Sequence, residues 1–177
     1  MLEFGKCRPS SPLKPVAQRD YILRLIEQAI QVLLRITSLR ESGQPGPAVA
    51  MVIEGLEKLF GLTVTELGSL DMDQLFLQLT AGEQPESARD KCLIFAALNN
   101  QAGLAYEERD LPGLAQPAFH IALVFTLRAL AAFPRSALPP FAPDIGGLLA
   151  RLDGFELPEA TRSLIAAYRA SLSKPSA

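Results

Sequence analysis

Residues 96–128, AALNNQAGLAYEERDLPGLAQPAFHIALVFTLR, carry the pattern from which the fold is read. Gly103, Tyr106, Ala115, Phe119 and Ala122 stand at offsets 0, 3, 12, 16 and 19, and Leu123 follows. The run covers the end of one helix, expected over 86–109, and the start of its antiparallel partner, expected over 112–133. Offsets of 3 and 4 keep side chains on one helical face. Gly103 and Ala115 let the two helices approach closely, Tyr106 and Phe119 fill the space beside them, and Ala122 admits the next helix. The requirement is steric and implies no chemistry.

Weaker echoes flank this unit. Ala48, Val52 and Gly55 keep the second-helix spacing 67 residues earlier, about two repeats of 34. Ala160, Leu164 and Ala167 keep it 45 residues later, as though 11 residues were inserted at a proline-rich connection. The spacing resembles the tetratricopeptide repeat. It departs from that pattern at Asn99, where Trp is usual, and at Leu127, which replaces a late proline. The resemblance implies an all-α fold of antiparallel helical hairpins, stacked as a short, degenerate α-α superhelix. It further implies a concave groove faced by Ala97, Asn100, Leu104 and Glu107, and a protein or peptide partner. Grooves of the family that grip peptide carboxylates present Lys or Arg. These four positions hold neither, so that form of recognition is not expected. The segment from Gln18 to Gln28 resembles the start of a family of small bacterial helical proteins of unknown function. That likeness covers roughly residues 18–60 and implies a bacterial, cytoplasmic helical-repeat protein without implying an activity.

Outward from the central unit, periodicity predicts a helix from residue 16 to about 41, with polar residues at Arg24, Glu27, Gln28, Gln31, Arg35 and Ser38. The rest of it is apolar over about two-thirds of the circumference, which calls for cover on more than one side. Residues 21–36 are therefore expected to be central in the fold or to seal a homodimer. A second helix is predicted from about 47 to 60, closed by Gly61. A short one follows through Leu75, Phe76, Leu77 and Leu79, opened by Asp71 and Asp73. Pro117 falls inside the 112–133 pattern and must sit in the first turn or kink the helix. Two shorter helices are expected near 141–152 and 158–172. Period-2 runs are absent, so no sheet is expected. Residues 1–15, with Pro9, Pro12 and Pro15, read as a disordered tail ahead of one domain over 16–177.

Composition narrows the function classes. The 177 residues are 49% hydrophobic and 20% charged, which is globular. A net charge of -2 argues against a general nucleic-acid binder. Charge is uneven: +4 over 1–40, -8 over 41–117 and +2 over 118–177. The acidic middle reads as solvated helix faces. Cys7 and Cys92 are too few for a disulfide framework or a closed zinc site. The N-terminus lacks a secretory h-region. The apolar stretch 118–133 is shorter than the ~20 residues a membrane helix needs. A cytoplasmic protein with no membrane and no nucleic-acid partner is the expectation.

No P-loop, GxGxxG, GxSxG or HExxH is present. No catalytic residue, cofactor site or metal site is expected. His120, between Phe119 and Ile121, reads as a structural core histidine. Glu107, Glu108 and Asp110 cluster at the end of one helix, and Asp71 with Asp73 at the start of another. Solvation and helix capping account for both groups. Asn99, Asn100 and Gln101 form an amide triplet in a helix interior, where such residues are unfavoured. An interhelical bond is the expected use of Asn100, and a bond to a peptide backbone the alternative. The function expected is a protein-interaction module. A homodimeric structural protein and a binder of an apolar small molecule, the latter suggested by residues 118–133 and a mean hydropathy of +0.19, remain beside it.

Overall fold

The structure, a computed structural model, describes residues 15–134 and 137–173, and over them the chain is all-α. Eight helices follow one another: α1 (Pro15–Glu41), α2 (Pro45–Phe60), α3 (Val64–Ser69), α4 (Met72–Thr80), α5 (Pro85–Glu107), α6 (Pro112–Ala132), α7 (Ile145–Arg151) and α8 (Glu159–Leu172). Their ends follow from local chemistry. Prolines at residues 45, 85 and 112 occupy the first turns of α2, α5 and α6, where the missing N–H is no loss. Gly61 ends α2 in the left-handed region at φ 66°, and its N–H bonds the Glu57 carbonyl at 2.9 Å. Reciprocal capping boxes start α3 (Thr63 with Glu66) and α4 (Asp71 with Gln74).

Several boundaries differ from those expected. The tail assigned to 1–15 lies outside the described residues except for Pro15, which is the first residue of α1, a position proline tolerates. The six-residue α3 has no counterpart in the periodicity, being too short to show one. The helix expected from 141 starts only at Ile145. Pro143 disfavours a helical conformation at Ala142, and the Asp144 carboxylate accepts from Gly146 N and Gly147 N to open α7. Pro117 lies in the interior of α6, one turn beyond the first.

The central helix is α5. It packs on α1, α2, α4 and, most extensively, α6, and its residues 92–99 are buried without a break. The sequence offered residues 21–36 for that place or for the seal of a homodimer. Instead α1 is covered by α2 and α5 along Ile22, Leu25, Ala29 and Ile36, and it leaves another side open.

Two apolar clusters share the α5–α6 hairpin. The larger joins α1, α2, α4 and α5 to one face of α6. A chain of rings runs through it: Phe60 edge-on to Phe95 (5.8 Å), Phe95 to Phe125 (4.6 Å), Phe125 to Phe76 (6.2 Å) and Phe76 to Phe133 (6.5 Å). The smaller cluster sets Phe119, Leu123 and Leu127 of α6 against Ile145 and Leu148 of α7 and Ile165 of α8. Here the third stacked hairpin expected from the echo gives way to a different arrangement. The helices α7 and α8 rest chiefly on α6. Ala160 and Ala167 are exposed, while Thr161 and Ile165, one and two positions away, are buried. By length and composition the 21-residue α6 is apolar enough to cross a bilayer, longer than the 16-residue stretch read from the sequence. Most of that stretch is buried inside the fold, as in a core helix.

Candidate functional site

The exposed side of α1 carries aliphatic residues beside its polar stripe. Leu23 (51% exposed), Ile30 and Leu34 (60%) stand at i, i+7 and i+11, one line on the helix surface. The lower end of this line forms one wall of a groove of about 450 Å³, where Ile30, Leu33, Leu34 and Thr37 face inward. Ala97, Asn100 and Gln101 of α5 form its floor. The turn after α6, residues 140–144, forms the far wall with Pro140, Phe141 and Asp144. The volume falls within the range of small-molecule pockets, roughly 300–1,000 Å³.

The amide triplet divides by role. Asn99 is buried and donates through Nδ2 to the Phe95 carbonyl at 2.9 Å. Gln101 accepts from Arg40 Nη1 at 2.7 Å, and Arg40 Nη2 bonds Glu108 at 2.5 Å, so the C-terminal end of α1 is fastened to α5. The half-buried Asn100 carboxamide has no hydrogen-bond partner among the described residues, so the expected interhelical bond is not made. It faces a groove whose walls are otherwise mainly apolar.

Of the four residues expected to face one groove, Ala97 and Asn100 line this one. Leu104 packs against the smaller apolar cluster, and Glu107 pairs with Arg151 Nε of α7 at 3.2 Å. From α7, the Arg151 side chain reaches the continuation of that face. The α1 and 140–144 walls have no counterpart in the repeat pattern. Their signals were the apolar excess of residues 21–36 and the run of prolines, but neither shows which helix it will face.

The residues expected to pack the repeat are close together. A Cβ on Gly103 would stand 2.5 Å from Cδ1 and Cε1 of the Phe119 ring, so this approach requires glycine. Ala115, Phe119 and Ala122 are buried, and Tyr106 touches both clusters. The first echo, Ala48, Val52 and Gly55, is buried within α2.

The acidic pairs are occupied. Glu107 reaches α7, Glu108 reaches Arg40, and Asp110 takes the left-handed φ of 54° that closes the α5–α6 turn. Asp71 caps α4 through Gln74 N at 2.8 Å, and Asp73 pairs with Arg128. His120 is buried with Nε2 2.8 Å from Thr161 Oγ1, and burial pushes its pKa below the ordinary 6.5. A cleft of about 340 Å³ opens beside it toward Asp71, Asp73 and Arg128. Among the described residues no carboxylate bonds its second ring nitrogen, so the geometry lacks the base-orienting contact that nucleophilic catalysis uses. Burial pushes the Cys92 thiol up to about 12, which leaves it protonated and unreactive at neutral pH. Cys7 lies outside the described residues. No three His, Cys, Asp or Glu residues among the described ones group as a metal site.

Compared with family models, curated proteins and solved structures, the chain has no match.

Proposed function

We propose that this protein is an interaction module that holds a segment of a partner protein in the groove between α1, α5 and residues 140–144. The observation that carries the reading is alignment. The aliphatic line of α1 enters the groove at Leu34 and Ile30 and runs on outside it to Leu23. The helix rises 1.5 Å per residue, so that line is roughly 16 Å long, more than a compact ligand filling the cavity would cover. Exposed aliphatic side chains aligned with a groove in this way, here with the exposed Glu27 between Leu23 and Ile30, suit an interaction site. The tight Gly103–Phe119 approach supports reading the α5–α6 hairpin as a degenerate tetratricopeptide-like unit, while the departures at Asn99 and Leu127 and the placement of α8 count against a full array.

Leu34→Glu puts a charge on the groove wall at an exposed position, so helicity and melting temperature should be retained. In parallel pull-downs, the partner captured by the wild-type chain should be lost with this variant. Equal capture by both would sink the placement of the site.

The same aliphatic line favours a second reading, a homodimer sealed through residues 21–36. Light scattering on the eluting peak would then give about twice 19.1 kDa. A monomer at high concentration excludes it. A bound apolar small molecule would appear as added mass in native mass spectrometry.

A further inference from the structure

The groove's polar groups indicate what kind of segment it takes. Asn100 offers a donor pair and an acceptor from one planar carboxamide, with no partner of its own, inside an aliphatic wall. A helical ligand cannot use this group well, because its backbone N–H and C=O groups already bond each other. An extended segment presents the N–H and C=O of one residue on the same side, in the geometry a carboxamide matches. Its side chains alternate sides at about 3.3 Å per residue. About six such residues would track α1 from Thr37 to Leu23. The only charged residue among the described residues lining the groove is Asp144. Its carboxylate accepts from two backbone amides and forms no ion pair among the described residues; the Arg151 guanidinium lies beyond pairing distance, close to Gly147. An acidic segment would be repelled there and a basic residue drawn in.

Building on the interaction reading above, we propose that the occupant is an extended apolar peptide segment bearing a Lys or Arg. Its backbone is held by the Asn100 carboxamide and its cation by Asp144.

The test is selection of random 12-residue peptides displayed on phage against the full chain, followed by fluorescence anisotropy with the synthetic peptides recovered. The expected sequences alternate apolar residues around a Lys or Arg. Asn100→Ala should weaken the selected peptide about five- to tenfold, as two neutral hydrogen bonds are removed. N-methylation of one backbone amide in the peptide should do the same without touching the protein. Asp144→Asn keeps one oxygen to accept from Gly147 N and hold the start of α7, and should lower affinity about threefold with a weaker salt dependence. Leu34→Glu should abolish binding. If Leu34→Glu abolishes binding while Asn100→Ala and every N-methyl peptide bind normally, the backbone clamp is wrong and the groove stands. Peptides with apolar residues at i, i+3, i+4 and i+7 would overturn the extended occupant in favour of a helix. No selected peptide, or binding indifferent to Leu34→Glu, would overturn the groove itself.

Discussion

The face of α6 that carries Phe125 and Ala129 and the face that carries Phe119, Leu123 and Leu127 are built from the same kinds of residue, yet they are covered differently. The first is enclosed by the long helix α5 and by α4, with the aromatic chain from Phe60 to Phe133 linking four helices and the segment after α6. Over the second lie the seven-residue α7 and the amphipathic α8, each docked mainly on α6. A helix shorter than ~12 residues is marginal alone, so α7 depends wholly on that docking. Apolar content therefore does not rank the two sides; the number of independent elements that must part before a side chain meets water does. The larger cluster should open only with the whole domain, and the smaller one locally.

The largest effect expected is for Phe125→Ala, which removes the ring between Phe95 and Phe76. It should cost about 3–5 kcal/mol in urea denaturation. Next comes Ile165→Ala on α8, at about 2 kcal/mol locally. Hydrogen exchange of this variant should speed up in α8 and leave residues 92–99 protected. Equal acceleration in both regions would break the comparison, since the two clusters would then open as one unit. A smaller effect is expected from pH. Burial lowers the His120 pKa, so the unfolded chain binds this proton more readily than the folded one. The contribution of His120 to stability is complete above the ordinary value of about 6.5 and is lost as pH falls from there toward the folded value. Melting temperature should drop between pH 7 and 5, and less steeply in His120→Gln. An identical slope in the variant would remove His120 as the cause. The smallest effect is for Leu34→Glu, within about 0.5 kcal/mol of the wild type, because this side chain is 60% exposed.

Much of the architecture was legible because it rests on local chemistry. The prolines at 45, 85 and 112, Gly61 and the long apolar periods determine α1, α2, α5 and α6 within a residue or two of where they were expected. Although α3 shows no period, its capping box of Thr63 and Glu66 stood in the sequence unread. The buried face of α8 could not be read. Thr161 turns inward to meet His120, 41 residues away, and no local pattern contains that partner. The groove was half legible for the same reason. Ala97 and Asn100 follow from the helix that carries them, whereas the opposing wall of α1 and the turn at 140–144 depend on how distant elements dock.

Cys92 sits in the unbroken buried run of α5, with its thiol held protonated. The folded protein thus carries a built-in clock. An alkylating reagent can reach this sulfur only during the moments when the larger cluster comes apart, so the labelling rate of a Cys7→Ser chain counts those moments directly. With a cell-permeant reagent the count can be taken in living cells, and a partner that occupies the groove should slow it.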